Sequence, residues 1–324
     1  MNKIQMMIAG CMLATLSMVA QAASVGPAAR TVIPSAVEQI ISIDYRTVKQ
    51  SNTALALKAQ VLPDHLKEFE KALEGVGIIP DRDLESLTFA SFRNGKHELL
   101  IMGVASGSFS PATVLKKFSK TIKPVKYHES DIYPMSKELS MTFLDNNNLL
   151  LGDAGAIQIA LSTRNGDVQN FGSNQKLGEV IETVKNATVW SVLDHQGTRE
   201  MLLSAVGPGD AIKLASYTNL ENQILDSHYT MNFDNGVSFD LDILTSDSAT
   251  SAELASFLQA GILFKNATAN PAAKIAFQNM KVSFDRSDLQ IRFKADREPV
   301  QKLLQARFFA IASPTPGVRA DRRQ

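Results

Sequence analysis

Apolar and polar positions along the chain follow two rhythms, and the same succession of rhythms occurs twice. Ile40-Ile-Ser-Ile-Asp44 is a short apolar run stopped by an acid, and Val189-Trp-Ser-Val-Leu-Asp194 repeats it. Runs of this kind predict buried strands. Leu87 to Phe92, Asn94-Gly95 and Glu98 to Val104 then read as two strands around a turn. Tyr229 to Phe233, Asn235-Gly236 and Val237 to Leu244 echo them. An Asn-Gly pair between strands predicts a type I′ hairpin, which needs positive φ at both turn residues.

The spacing predicts a helix after each hairpin. Val114, Leu115, Phe118 and Ile122 share one face in the first copy, as Leu254, Phe257, Leu258 and Ile262 do in the second. Paired strands follow at 139–144 and 280–285. Polar corners at 145–148 and 286–288 lead from them into strands beginning at Leu149 and Leu289. A helix closes each copy, around 157–161 and 300–308. The order is β-α-β-β-α-β-β-α, twice. The copies are offset by 150 residues at Asp44 and Asp194, and by 141 at the Asn-Gly turns. The difference lies in the first copy's connection from Leu62 to Asp83, where Leu66, Phe69, Leu73 and Val76 recur at helical spacing.

Val237-Ser-Phe-Asp-Leu-Asp-Ile243, Lys281-Val-Ser-Phe-Asp285 and Gln290-Ile-Arg-Phe-Lys294 alternate strictly between apolar and polar. Period two with one polar face predicts an antiparallel sheet with one face solvated. The fold class expected is therefore α+β: two tandem copies of one unit, antiparallel sheets covered by helices on one face. The other face, studded with hydroxyls and charges, is either a solvated surface or a docking surface, and sheet edges offer themselves to a partner's strand. The boundaries expected are a signal peptide at 1–22, a short leader from Ser24 to Thr31, repeat 1 at 31–163, a polar linker at 164–175, repeat 2 at 176–310 and a frayed tail at 311–324.

The N-terminus carries an address. Lys3 precedes an uncharged apolar stretch from Met6 to Val19, and Ala20-Gln21-Ala22 fits a signal-peptidase site. The stretch is shorter than the roughly 20 residues that span a bilayer core. Cleavage after Ala22 predicts a periplasmic or secreted protein with no transmembrane segment in the mature chain. Ile8-Ala-Gly-Cys11 keeps open an alternative, a lipoprotein anchored through Cys11, the only cysteine of the chain. The apolar run before Cys11 is short for that purpose, and the residues after it are greasy where a lipoprotein has a polar tether.

The 33 basic and 33 acidic residues balance, so there is no basic field to attract nucleic acid. The five histidines lie far apart in sequence, and no cysteine pair exists. No metal site or cofactor is expected from such spacing. Ser173-Asn-Gln-Lys176 and Tyr217-Thr-Asn219 imitate two elements of serine acyl-hydrolases, but no Lys-Thr-Gly follows. The weak catalytic candidates are Asp194 and His195, adjacent in sequence with Ser191 nearby. Asp44 stands at the matching place in the first copy, followed by Tyr45. An aspartate that ends a strand before a helix is also an ordinary N-cap.

In pattern the chain resembles a loose set of exported bacterial proteins with no known activity. They carry a signal peptide and then duplicated units that open like Val37-Glu-Gln-Ile-Ile-Ser-Ile-Asp-Tyr-Arg46. The resemblance covers roughly residues 33–310 and implies architecture and location; it transfers no active site. The function expected is a non-enzymatic binding or scaffold protein of the bacterial cell envelope, its partner an unknown protein or envelope component. The alternatives are a periplasmic hydrolase whose residues converge only in three dimensions, or a lipid-anchored accessory subunit.

Overall fold

A computed structural model of the chain describes residues 25–61, 64–118, 122–136, 139–205 and 220–306. The expected signal peptide, Cys11, Tyr217 and the C-terminal tail lie outside the described residues. In chain order the elements begin with α1 (Pro27–Val32), β1 (Val37–Asp44), α2 (Tyr45–Val48), α3 (Asn52–Val61), α4 (Asp64–Gly75) and α5 (Pro80–Asp83). They continue with β2 (Leu84–Arg93), β3 (Leu99–Gly107), α6 (Pro111–Phe118), β4 (Val125–Tyr127), β5 (Ser130–Pro134), β6 (Ser140–Phe143), β7 (Asn148–Gly152) and α7 (Ala154–Asn165). The second half holds α8 (Gln175–Val184), β8 (Val189–Leu193), α9 (His195–Ala205), α10 (Leu220–Gln223), β9 (Ile224–Asn232) and β10 (Gly236–Thr245). It ends with α11 (Ser248–Thr268), α12 (Pro271–Gln278), β11 (Met280–Asp285), β12 (Asp288–Asp296) and α13 (Arg297–Gln305).

The protein is a mixed α/β structure whose strands form one 12-stranded sheet, in the order β11-β12-β10-β9-β8-β1-β2-β3-β7-β6-β5-β4. Its strand pairs are antiparallel. The two halves meet at β1 and β8, where Ile41 lies opposite Ser191. Outward from that seam the order β1-β2-β3-β7-β6 matches β8-β9-β10-β12-β11. The first half adds the β4–β5 hairpin, at the place in the chain where the second half has α12.

The expectation of helices on one face is corrected in the first half. Its strands are apolar at consecutive positions: Phe89, Ala90 and Phe92 on β2, Val104 and Ala105 on β3, Leu149 to Leu151 on β7. Such strands bury both faces and need two covers. On one face Ala90, Phe92, Met102, Val104 and Leu150 pack with residues of α1, α7 and α8. On the other, Leu87, Phe89, Ala105, Leu149 and Leu151 pack against Phe69 and Leu73 of α4 and Val114 of α6. The stretch read as a leader contributes too: α1 buries Ala29 and Val32.

In the second half one face is mainly apolar, with Ser227 buried on it against the Thr198 hydroxyl. Phe239, Leu241 and Ile243 of β10 and Leu289 and Ile291 of β12 meet Leu254 and Ala255 of α11. Val237, Phe293 and Ala295 meet Val300 and Leu303 of α13, together with Leu57 of α3 from the first half. That face is continuous with the α4-covered face of the first half, because Ile41 and Phe89 are paired across β1 and β2 and Ser191 and Tyr229 across β8 and β9.

Neither Asn-Gly pair forms the expected type I′ turn. Between β2 and β3, Asn94 to Glu98 make a longer loop with positive φ at His97 (62°). The Asn94 side chain accepts from the backbone N–H of Lys96 and Glu98, at 2.8 and 3.0 Å. This Asx-type closure replaces the two-residue turn. In the second hairpin only Gly236 has positive φ, at 127°.

Candidate docking face

The α1-, α7- and α8-covered face of the first half runs on into the second half, and there, among the described residues, its cover stops after β8. Trp190 of β8, on this face, is fully buried with Ile181 and Val184 of α8. Its neighbour across the ladder is Thr230, and Thr230 lies opposite Asp240. From there on, Leu244 near the end of β10 excepted, the outward side chains are polar: His228, Thr230 and Asn232 on β9, Ser238, Asp240 and Asp242 on β10, Gln290, Arg292 and Lys294 on β12, Lys281, Ser283 and Asp285 on β11. Strict alternation produces this face, since the apolar set is fixed on the α11 side.

Register turns these residues into a lattice. Arg292 is opposite Asp240 and its Nε lies 3.2 Å from Asp240 Oδ1. Its Nη2 reaches diagonally to Asp242 Oδ1 at 2.6 Å, and its Nη1 donates to Leu241 O at 3.0 Å. His228 Nε2 sits 3.5 Å from the other Asp242 oxygen. At the rim, Lys176 of α8 pairs with Asp226 at 2.6 Å. Burial raises the Asp288 carboxyl above the usual range, and the neighbouring Asp242 and Asp285 raise it further. The lattice is held by its own ion pairs, so it presents a fixed pattern of charges and hydroxyls to whatever approaches.

Asp194 and His195 sit at the border of this face. Asp194 follows β8 and caps α9, its Oδ1 accepting from Gly197 N–H at 2.8 Å. Burial raises its carboxyl, while the bonds from the Gly197 and Gln196 N–H groups oppose the rise. The His195 ring contacts Ile224 O through Nδ1 at 2.5 Å. Ser191 points to the opposite face, where it accepts from Gln39 at 3.1 Å. The three residues therefore point to different partners. Asp44 does in the first half what Asp194 does in the second, accepting from Arg46 N–H at 3.0 Å. Ser173 donates to Asn170 O at 2.8 Å, while Lys176 turns to Asp226. Among the described residues no group of three or more His, Cys, Asp or Glu side chains is placed to hold a metal ion.

The alternation marks the polar face in the sequence. The Asp240–Arg292–Asp242–His228 lattice does not show there, because it depends on a register that only pairing defines. Among the described residues, no helix is long and apolar enough to cross a membrane.

No protein-family model matches the sequence, and no curated protein does. Among solved structures the chain is similar to TP0453. With one crystal form of that protein the TM-score is 0.50 at 11% identity, covering 87% of this chain and 97% of the other. A second crystal form gives 0.46 at 10% identity, covering 85% and 96%. At such identity the likeness shows a shared fold alone.

Proposed function

We propose that the protein is an exported, non-enzymatic binding or scaffold protein of the bacterial cell envelope, built from two copies of one α+β unit, which docks its partner on the open face of β9, β10, β12 and β11. One observation carries the reading. The same side of the sheet is roofed by α1, α7 and α8 as far as β8, and beyond β8 it presents mainly polar side chains, with Arg292 tying Asp240 and Asp242 together. The polar loop-to-helix segment that roofs Trp190 stops at the Lys176–Asp226 pair. Support for two copies comes from the matching strand orders about the β1–β8 seam. Support for export comes from Lys3, the apolar stretch from Met6 to Val19 and Ala20-Gln21-Ala22.

The test is a photo-crosslinking residue at Thr230, on the face where it emerges beside Trp190, compared in the native host with one at Lys71 on the exposed side of α4. Docking predicts a discrete adduct from position 230 that disappears when Asp240 and Asp242 are both changed to Lys. Equal labelling from both positions would refute it. Intact mass of the same purified protein reads the address: a free terminus at Ala23 supports release, and a lipid-heavy terminus at Cys11 replaces it with anchoring.

A further inference from the structure

Among the described residues, strand β11 ends the sheet and no strand pairs with its outer edge. Lys294 N–H donates to Asn279 O at 3.1 Å, which sets the phase of the β11–β12 ladder. Asn279, Lys281, Ser283 and Asp285 point their peptide groups at β12, so Val282 and Phe284 point theirs outward. The Gln259 side chain of α11 agrees with that phase, donating to Val282 O at 2.9 Å from outside the sheet. Val282 and Phe284 have their side chains on the α11 side, and Phe284 is 46% exposed. Lys281, Ser283 and Asp285 lie on the open side and are exposed.

We infer that β11 pairs antiparallel with β11 of a second copy, in the register that sets Ser283 opposite Ser283. Three symmetric registers bring the outward peptide groups of Val282 and Phe284 against themselves or each other, centred on Val282, Ser283 or Phe284. Centring on Val282 sets Lys281 against Ser283, and centring on Phe284 sets Ser283 against Asp285. Only the register centred on Ser283 sets Lys281 against Asp285 on both sides of the axis, and Val282 against Phe284 beneath them. A lysine on a sheet edge ordinarily blocks pairing; here Asp285 neutralises it in one register and leaves it blocking in the others. The two-fold operation closes the assembly at two copies. It also explains where α11 goes. That helix reaches the edge at Gln259, and Leu263 and Phe264, a turn further on, are 70% and 71% exposed. A two-fold normal to the sheet brings the ends of both α11 helices together over the joined strands. The Gln259 amide shares the Val282 carbonyl or swings aside.

The test is sedimentation velocity over a concentration series on the purified protein, on Lys281→Asp, on Asp285→Lys and on the double exchange. The unchanged protein is expected to form a dimer. Each single exchange places like charges opposite each other at two positions and raises the dimer dissociation constant about tenfold or more; the double exchange restores it. Thermal unfolding of the same variants checks that the exposed exchanges leave the fold intact. A monomer at all concentrations overturns the inference, as does a dimer indifferent to both single exchanges. Failure of the double exchange to restore pairing overturns it too, because Lys281 and Asp285 then do not face each other across the two-fold. The outcome is independent of crosslinking at Thr230.

Discussion

Ile41 and Ser191 face each other across the seam between β1 and β8, and the bonds on either side of that pair are equivalent. Asp44 N–H donates to Thr188 O, and Asp194 N–H donates to Glu38 O, both at 2.8 Å. Residues 44 and 194, like 38 and 188 and like 41 and 191, are 150 apart in sequence. A local two-fold axis passing between Ile41 and Ser191 accounts for all three. Asp44, the last residue of β1, and Asp194, the residue after β8, then perform the same task, capping the helix that follows.

Removing the caps separates them from catalysis. Asp44→Ala is expected to cost about 1 kcal/mol of unfolding free energy, the ordinary value of an N-cap. It also releases Thr47, whose hydroxyl donates to the second Asp44 oxygen at 3.0 Å. Asp194→Ala should cost less at neutral pH, because it removes a buried carboxylate along with the cap. Urea unfolding checks the order. If His195→Ala abolished turnover of an envelope substrate with stability unchanged, the cap reading of this pair would be wrong.

The pH dependence has a definite sign. Burial raises the Asp194 carboxyl, so the folded state holds its proton more tightly than the unfolded one. Stability therefore falls as pH rises from the ordinary aspartate value, near 3.9, through the raised one. Glu38, also raised by burial against the opposing Arg93, adds a slope of the same sign. Asp194→Asn keeps a capping acceptor and removes its part of the slope. Relative to the unchanged protein it should gain stability between pH 4 and pH 7 and gain nothing at pH 3; an equal difference at every pH would contradict the assignment.

The two Asn-Gly pairs look alike in sequence and are not alike in structure. A Cβ at Gly95 meets nothing within 4 Å, and Gly95 does not have positive φ. A Cβ at Gly236 would run into the Ala295 carbonyl oxygen, and its φ of 127° is one that side chains rarely adopt. Gly95→Ala is expected to change stability by less than about 0.5 kcal/mol, and Gly236→Ala to destabilise by about 1–3 kcal/mol. Parallel thermal melts of the two variants decide it.

This contrast marks where sequence reading stops. Alternation in Val237 to Ile243 and Gln290 to Lys294 carries the open face, because a period of two fixes which side chains share a side. The Leu149-Leu-Leu151 run belongs to a strand buried on both faces, which the expectation of helices on one face did not take from it. Yet β1 meets β8 through backbone bonds, and the side chains of Ile41 and Ser191 give no sign of it. The same holds for the site: Asp240, Asp242 and Arg292 are visible as polar positions, and their ion pairs follow only from which strand lies beside which. Turn type failed for a similar reason, since the Asn94 side chain closes its loop by accepting two N–H groups, which an Asn-Gly signature does not encode.

The position after each cap aspartate carries a different residue in each half, and the first can be tested by a cycle. Tyr45 is fully buried, and its hydroxyl donates to Glu70. Burial raises this phenol far above its usual range, and the neighbouring Glu70 adds to the rise. The Glu70 oxygen also accepts from Lys58 Nζ at 3.1 Å, and Lys58 reaches on to Asp81 at 2.8 Å. Tyr45→Phe removes one bond to a carboxylate that keeps its ammonium partner, so the expected cost is about 1.5 kcal/mol, the low end for a bond to a charged group. Lys58→Met strips the counter-charge from a half-buried carboxylate and should cost more, about 2–3 kcal/mol. The double variant should cost more than the sum of the two, because Glu70 is then left without either donor. Urea unfolding of the four proteins at pH 7 measures the coupling, and strict additivity would mean that Glu70 is held by water instead of by Tyr45 and Lys58.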